Sequence, residues 1–346
     1  MSSSGNSVRY EKRVKELIFQ GERPFSFCHA STLTLLSDGE LIAAWFAGTT
    51  EGSDDTAIWS SRRERGKWLP CVKLVDDKNA PNWNPVLFQK DDRTLLLFYK
   101  AGRKISEWST RVIVSNDGGR SWSPPRELVP GDRGGRGPVR NKILKLNEKI
   151  WIAPASVEDR IWRAFADVTE DGGITWKKSN EITIRNIDYN TVTEIKSDIP
   201  VSEQSLKGRG VIQPTLWESE PGKVHMLLRS TEGCIYRSDS IDGGRTWGTA
   251  IPTNLPNNNS GIDIVKIENG ALVLVFNPVG VNWGPRTPIA LMVSFDNGET
   301  WGDMHILENT EGEYSYPAIV AKNNTLYLTY TWRRKSIVYW EIEVRI

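Results

Sequence analysis

Cysteine and long apolar runs are what this sequence has least of. Only three cysteines occur in 346 residues, Cys28, Cys71 and Cys234, and neither a C-x-x-C spacing nor a neighbouring pair of histidines accompanies them. This scarcity argues against a disulfide framework and a zinc site, so we expect no metal and no cofactor. No apolar run approaches the roughly 20 residues of a membrane-spanning helix, and the first residues lack the apolar core of a secretion signal. The compartment stays open between the cytoplasm and a secreted or periplasmic protein that has lost its signal.

An excess of charge of either sign is also missing. The chain has 44 Lys and Arg against 43 Asp and Glu, which gives a formal net charge of +1. Binding to nucleic acid or to a membrane surface relies on a sustained excess of Lys and Arg. We therefore expect neither nucleic acid nor a membrane as a partner.

Tryptophan, glycine and a repeated motif are abundant instead. The chain has 15 Trp and 29 Gly among alternating Val, Ile and Thr residues, which is typical of a turn-rich all-β protein. The pattern S/T-x-D-x-G-x-x-W occurs at SNDGGRSW (Ser115–Trp122), TEDGGITW (Thr169–Trp176), SIDGGRTW (Ser240–Trp247) and SFDNGETW (Ser294–Trp301). A weaker copy, SRRERGKW, starts at Ser61. The five starts are 54, 54, 71 and 54 residues apart, so one repeat carries an insertion of 17 residues, which we place around Arg185–Gly210.

The repeated aspartate fits a hairpin turn better than a metal-binding role. Its carboxylate can accept backbone N–H bonds, the glycine supplies a positive φ, and the tryptophan packs against the sheet. A calcium loop needs several closely spaced oxygen ligands and a distal glutamate, which the motif lacks. We therefore do not expect Asp117, in the first strong copy, to touch a substrate.

A second repeat lies between the copies of the first. Six segments each precede a turn and an alternating apolar strand: HASTL (His29–Leu33), NPVLF (Asn84–Phe88), NKIL (Asn141–Leu144), QPTLW (Gln213–Trp217), GIDIV (Gly261–Val265) and YPAIV (Tyr316–Val320). Each unit offers four strands, and a lone four-stranded sheet can bury its faces only against neighbours. This pattern predicts an all-β fold, a six-bladed β-propeller of four-stranded antiparallel blades. We expect a single domain over residues 1–346, with residues 1–11 flexible, and a ring closed by the N-terminal strand Lys12–Phe19 pairing with the C-terminal strand.

The four motifs on a six-unit β repeat resemble the Asp-box of the sialidase superfamily, and the resemblance covers essentially the whole chain. It implies that the chemistry lies where the inner strands begin, at the mouth of the central channel. Sialidases carry there three arginines that bind a substrate carboxylate, an acid/base aspartate, a tyrosine nucleophile and a glutamate that activates the tyrosine.

The resemblance implies roles for particular residues of this chain. Arg229 and Arg286 match two of the three arginines as substrate-binding groups. Tyr316 matches the catalytic tyrosine, with Tyr314 as its alternative. Further polar residues of the inner-strand segments are candidates for binding sugar hydroxyls: Asn84, Asn141 and Lys142.

The remaining positions include two departures from the sialidase set. Asp55 matches the acid/base residue, with Asp54 as its alternative, and Glu51 lies close by as a further candidate and substrate contact. His29 occupies the position of the first arginine, and Gln213 occupies that of the glutamate. Glutamine has no titratable proton and cannot activate a tyrosine. Either the tyrosine is activated by its arginine and histidine neighbours, or a carboxylate such as Asp55 activates water directly in an inverting hydrolysis.

Three functions follow as expectations. The first is an exo-acting glycoside hydrolase that releases a terminal acidic sugar, above all a sialic acid, from a glycan or oligosaccharide partner. The second is a polysaccharide lyase acting on rhamnosyl-glucuronate ends, with His29 as the base and Arg229 and Arg286 neutralising the carboxylate. The third is a non-catalytic glycan-binding propeller.

Overall fold

The protein is built from β-strands. The computed structural model describes residues 8–21, 23–77, 80–185, 187–192 and 208–346. In these ranges 25 strands form five sheets, and the helical segments are two 3-10 turns, Ile105–Glu107 and Tyr189–Thr191. No helix in the same ranges has the length and hydrophobicity needed to cross a membrane.

The first two sheets are antiparallel meanders. One contains β2 (Phe27–Leu35), β3 (Leu41–Gly48), β4 (Ala57–Glu64), β5 (Lys67–Trp68) and β6 (Val72–Val75), the last two both paired with β4. The other contains β7 (Asn82–Gln89), β8 (Leu95–Ala101), β9 (Ser109–Ser115) and β10 (Arg126–Glu127). Their hairpins form at the turn sequences: Asp38 Oδ1 accepts the backbone N–H of Glu40 at 2.9 Å, as an aspartate commonly does in a tight turn.

The third sheet has eight strands in two antiparallel halves. The first half contains β11 (Leu144–Lys145), β12 (Trp151–Val157), β13 (Ile161–Thr169) and β14 (Lys177–Lys178). The second contains β15 (Arg209–Glu220), β16 (Lys223–Ser230), β17 (Cys234–Ser240) and β18 (Ile251–Pro256). Parallel pairing of Ile161 with Arg209 and of Trp162 with Gly210 joins the halves. The predicted insertion falls at this junction, and its residues 186 and 193–207 lie outside the described residues.

The last two sheets include both ends of the chain. One contains β19 (Asp263–Lys266), β20 (Leu272–Phe276), β21 (Ile289–Ser294) and β22 (His305–Glu308). The other contains β23 (Tyr314–Lys322), β24 (Thr325–Trp332), β25 (Ser336–Arg345) and β1 (Arg9–Leu17). The N-terminal strand thus pairs with the C-terminal strand, from Arg9 opposite Arg345 to Leu17 opposite Val338. Residues 9–11 belong to this strand, contrary to the expectation of a flexible segment over 1–11, and residues 1–7 lie outside the described residues.

The repeated aspartate organises a hairpin turn. Asp117 Oδ1 accepts the backbone N–H of Arg120 at 3.0 Å and that of Ser121 at 2.9 Å, while Ser115 Oγ accepts the N–H of Gly119 at 2.8 Å. Hydrogen bonds from Ser121, and then from Ser115, hold the pKa of the Asp117 carboxyl well below its usual range. Equivalent backbone bonds recur in the other three copies. The predicted turn is confirmed.

The chain is an all-β propeller of antiparallel sheets. Six separate four-stranded sheets were predicted, but the pairing gives five because the two halves of the third sheet are hydrogen-bonded to each other. Apolar side chains pack between neighbouring sheets: Phe46 of β3 meets Trp83 of β7 with ring centroids 5.5 Å apart. Tyr316 of β23 packs in the same cluster. The inner strands of three sheets therefore come together around these rings.

Candidate functional site

Left-handed backbone marks the inner-strand segments. The residues with positive φ there are Ala30 (54°), Asn84 (42°), Arg140 (68°), Gln213 (50°), Asn259 (59°) and Tyr316 (54°). In β2, β7, β15 and β23 the register shifts at this point, as in a β-bulge that re-aims a side chain. A non-glycine residue in this region costs about 1–3 kcal/mol, and such strain concentrates at functional sites. The strain recurs within or just before each of the six segments, which indicates that the starts of the inner strands are directed to a common site.

Tyr316 and Arg229 form the centre of this site. Arg229 Nη1 donates to the phenolic oxygen of Tyr316 at 2.6 Å and to Gln213 Oε1 at 3.0 Å. Arg229 Nε donates to Asn259 Oδ1 at 2.7 Å, and the whole side chain is buried. The hydroxyl of Tyr314, the alternative to Tyr316, makes its hydrogen bonds outside this cluster. The structure therefore brings Tyr316, Arg229 and Gln213 together, as the sequence suggested.

Two further arginines lie over the Tyr316 ring. The guanidinium carbons of Arg140 and Arg286 are each 5.3 Å from its centroid, against 5.5 Å for Arg229. Arg140 is buried and donates to the carbonyl oxygen of Pro317, and burial lowers its pKa to about 10. A Cβ on Gly261 would lie 3.1 Å from Arg140 Nε and 3.4 Å from Tyr316 Cα. The glycine of the GIDIV segment thus makes room for this arginine beside the tyrosine.

Two glutamates orient Arg286 and a fourth arginine, Arg334. Glu313 Oε1 accepts from Arg286 Nη1 at 2.8 Å and from Arg334 Nε at 2.6 Å, while Glu51 Oε2 accepts from Arg334 Nη1 at 2.8 Å. Burial opposes the charge of Glu313, but Arg286 and Arg334 hold the pKa of its carboxyl below the usual value. Among the described residues, Nη2 of Arg229, Arg286 and Arg334 bonds to no protein acceptor. Each of the three can donate to a bound anion.

His29 packs directly on the tyrosine. Its ring centroid is 4.2 Å from that of Tyr316, and Nδ1 is 2.8 Å from Thr331 Oγ1. Within the described part of the chain Nδ1 makes the only hydrogen bond of this ring, which leaves Nε2 available to a ligand. Burial, and then the charges of Arg334 and Arg286, lower the pKa of His29 well below its usual value. The imidazole is therefore neutral at neutral pH.

Glu158, which directly follows β12, contacts the central cluster through Gln213. Gln213 Nε2 donates to Glu158 Oε1 at 3.2 Å, and Ser156 Oγ accepts the backbone N–H of Gln213 at 3.1 Å. Burial raises the pKa of the Glu158 carboxyl, although the charge of Arg229 acts in the opposite direction. A carboxyl therefore stands beside the glutamine that replaces the expected glutamate.

Asp55 lies in the loop between β3 and β4, where Thr49 and Ser53 surround its carboxylate. Its carboxylate accepts from Thr49 Oγ1 at 2.6 Å and from Ser53 Oγ at 2.5 Å. These bonds, that of Ser53 first, lower the pKa of the carboxyl. The alternative residue, Asp54, forms an exposed ion pair with Arg103. Asp55 makes no hydrogen bond to the central cluster within the described residues, so its catalytic role stays a prediction.

Of the predicted hydroxyl-binding residues, Asn84 and Asn141 are buried and Lys142 is partly exposed. Asn84 shares the left-handed position of the inner strands. Asn141 Nδ2 donates to the carbonyl oxygens of Gln213 at 3.0 Å and Pro214 at 2.9 Å. Lys142 Nζ donates to Asp263 Oδ1 at 2.8 Å and to a backbone carbonyl. The bonds of Asn141 and Lys142 connect neighbouring inner-strand segments, and the binding of sugar hydroxyls by these residues stays a prediction.

A buried lysine supports the loop that leads to Arg140. Lys100 Nζ donates to Thr110 Oγ1 at 2.7 Å and to the carbonyl oxygens of residues 135–137 at 3.0–3.3 Å. Burial lowers the pKa of Lys100 to about 7. One ammonium group thus fixes three successive carbonyls a few residues before the site.

The sequence analysis missed Arg140, Arg334 and Glu158. Arg140 immediately precedes Asn141, and a one-residue change in the alignment of that segment would have found it. Arg334 follows β24, and Glu158 follows β12. No repeat or motif in the sequence marks these two.

Comparisons with known proteins agree with this architecture. A protein of unknown function from Dyadobacter fermentans superposes with a TM-score of 0.74 at 15% identity, over 97% of this chain and 99% of that one. The Hadza microbial sialidase Hz136 gives 0.73 at 16% identity, over 92% of this chain and 66% of that protein. The NanB sialidase from Streptococcus pneumoniae gives 0.72 at 14%, over 95% and 70%. At these identities the likeness concerns the fold alone.

The fold is a sialidase-like propeller. A family model described as "BNR repeat-like domain" matches residues 39–328. The chain therefore belongs to the BNR repeat-like family. The resemblance inferred from the four Asp-box motifs is confirmed.

Proposed function

We propose that this protein is an exo-acting glycoside hydrolase that releases a terminal acidic sugar, above all a sialic acid, from a glycan. One observation carries the proposal: among the described residues, Arg229 and Arg286 at the buried Tyr316, and Arg334, which shares Glu313 with Arg286, each have an Nη2 that bonds to no protein acceptor. Guanidinium groups bind planar carboxylates through paired charge-assisted hydrogen bonds. Because Glu313 and Glu51 already orient two of the three, little ordering is needed when the anion binds.

The proposed site has six inner strands around it. We infer that the two halves of the eight-stranded sheet are separate blades, because within the described residues two parallel residue pairs are all that joins them. On this count each blade contributes one left-handed residue to the channel mouth. The pairing of β1 with β25 then closes the ring of blades.

The reaction we propose is an inverting hydrolysis. Gln213 cannot take a proton from Tyr316, so the route that begins with an activated tyrosine lacks its usual base. Asp55, whose carboxylate is ionised at neutral pH, is the residue we assign to take a proton from the attacking water. Tyr316, with Arg229 donating to its oxygen, faces the anomeric carbon and stabilises the positive charge that develops there.

A lyase is the second candidate, and His29 favours it. The neutral imidazole of His29, whose Nε2 has no hydrogen-bond partner in the described ranges, can remove the proton next to a uronate carboxylate. The arginines would neutralise that carboxylate and make the proton more acidic. This reading predicts cleavage of rhamnosyl-glucuronate ends with formation of an unsaturated uronate.

One incubation separates the candidates. The protein is mixed with a sialylated oligosaccharide and with a rhamnosyl-glucuronate-capped glycan, and the products are followed by mass and by ultraviolet absorbance. Free acidic sugar supports the hydrolase, and proton NMR of the first-formed anomer then tests inversion. An absorbing product supports the lyase. Binding of either glycan by calorimetry without any product would refute both and indicate a glycan-binding propeller.

A further inference from the structure

Glu158 differs from the other glutamates around the arginine group. Glu313 and Glu51 are both ion-paired with arginines through close contacts. In the described part of the chain, Glu158 forms no ion pair, and its hydrogen bond comes from the neutral amide of Gln213. A partly buried carboxyl that is bound by a neutral donor keeps its proton more readily than one held by a guanidinium.

The orientation of the Gln213 amide is fixed by its neighbours. A guanidinium can only donate, so the atom of Gln213 that faces Arg229 Nη1 at 3.0 Å must be the oxygen. The amide nitrogen therefore faces Glu158 Oε1, 3.2 Å away, and donates to it. Because Oε1 accepts this bond, a proton on the carboxyl resides on Oε2. Ser156 supports the arrangement, because its Oγ accepts a hydrogen bond from the backbone N–H of Gln213.

The surroundings of Glu158 and of Asp55 shift the pKa values of the two carboxyls in opposite directions. Burial raises the pKa of Glu158, whereas hydrogen bonds from Ser53 and Thr49 lower that of Asp55. Two carboxyls whose pKa values are shifted apart by their surroundings are typical of an acid and a base in one active site. Inverting hydrolysis needs one carboxylic acid and one carboxylate.

We propose that Glu158 is the general acid of this site and that Gln213, bonded to Arg229, positions it. The inference rests on the proposed hydrolase function. As the glycosidic C–O bond breaks, the proton on Glu158 Oε2 passes to the leaving oxygen, which departs as an alcohol. The oxygen of water bonds to the anomeric carbon and one water proton passes to Asp55. A proton then returns from Asp55 through solvent to Glu158, so the balance is glycoside plus water to free sugar plus alcohol.

The test uses the leaving group, because an acid matters most when the leaving oxygen is strongly basic. Steady-state kinetics are measured on a sialyl oligosaccharide, which leaves as a sugar hydroxyl, and on an aryl sialoside, which leaves as a weakly basic phenol. For Glu158→Gln we expect kcat/KM to fall at least about 100-fold on the oligosaccharide. On the aryl substrate we expect a loss of less than about 5-fold, since little proton transfer is needed there.

The pH profile gives a second readout that a structural role would not change. Wild-type kcat on the oligosaccharide falls at high pH as Glu158 loses its proton, and this limb disappears in Glu158→Gln. Glu158→Asp, which keeps the carboxyl, retains both the limb and part of the rate. The matched control is Glu220→Gln, at an exposed glutamate paired with Lys223 on a distant hairpin. This variant should leave the kinetics on both substrates unchanged.

Equal losses of Glu158→Gln on the two substrates, with the high-pH limb intact, would overturn the assignment while leaving the hydrolase function in place. A wild-type protein that releases sugar from neither substrate would refute the hydrolase function itself, and the acid role of Glu158 with it. The thermal unfolding midpoint of each variant confirms that it is folded under the assay conditions.

Discussion

Replacing Arg229 with lysine tests the centre of the site. Arg229 makes three hydrogen bonds with two of its nitrogens, to Tyr316, Gln213 and Asn259, and all four side chains are buried. Lysine keeps the positive charge but its single nitrogen cannot reproduce this forked arrangement. Arg229→Lys therefore separates the role of charge from the role of geometry.

The size of the effect can be worked from these contacts. A lysine in this place keeps about one of the three bonds, and a hydrogen bond to a charged group is worth about 1.5–3 kcal/mol. Loss of two gives about 3–6 kcal/mol, and rotation of the Gln213 and Asn259 amides toward other partners brings the expected destabilisation to about 3 kcal/mol. Since the lost bonds include the one to Tyr316 and the paired donors for the carboxylate, we expect kcat/KM to fall about 10²–10³-fold.

Urea unfolding and steady-state hydrolysis of the sialyl oligosaccharide measure the two effects. The control is Arg245→Lys, at an exposed Asp-box arginine paired with Glu170, which should change stability by less than about 0.5 kcal/mol. An Arg229→Lys variant as stable as this control, with kcat/KM within about 2-fold of wild type, would show that charge alone suffices and would refute the geometric reasoning.

Three further predictions concern other parts of the molecule. Tyr316→Phe removes the oxygen that accepts from Arg229, so kcat should fall about 10²-fold with little change in KM; an unchanged kcat would contradict a role at the anomeric carbon. Lys100→Met leaves the carbonyls of residues 135–137 without a donor and should cost about 2–4 kcal/mol in urea unfolding. Because the folded pKa of Lys100 is about 7 against 10.5, the unfolded state binds more protons in that interval; wild-type stability should rise with pH there, and the rise should be absent in the variant. The pKa of Asp171 is lowered to about 2 from 3.8, so its contribution to stability is present above pH 4 and lost as the pH falls through 2; Asp171→Ala should show a smaller loss over that interval in thermal melts.

The sequence predicted the repeat and half of the site positions well. Asn84, Gln213 and Tyr316 head their predicted segments and are the left-handed residues found there. In the other three segments the left-handed residue is Ala30, Arg140 or Asn259, one or two positions from the predicted start. For Ala30 the cause is the bulge in β2, whereas Arg140 and Asn259 lie just before β11 and β19. An alternating apolar pattern identifies a strand but does not show where an extra residue enters it.

The contacts between residues far apart in the chain could not be predicted from the sequence for a different reason. Glu158 and Gln213 are 55 positions apart, and Arg334 and Glu51 are 283 apart, so their meeting depends on how whole sheets pack. The resemblance to sialidases directed attention to Gln213 as a missing base. Only the three-dimensional structure shows that the carboxyl of Glu158, which follows the neighbouring strand β12, lies next to Gln213.

The pairing of β1 with β25 has a consequence for how the chain folds in the cell. Arg9 is synthesised long before its partner Arg345, so the last sheet stays incomplete until β25 has been made. During that interval β1 has no partner and offers a free edge, which is a site for unwanted association. In the folded protein Arg9 and Arg345 lie opposite each other on adjacent strands, about 5 Å apart. A circular permutant that joins them through a short linker and opens at an outer hairpin would be synthesised with β25 directly followed by β1, and should fold with less aggregation.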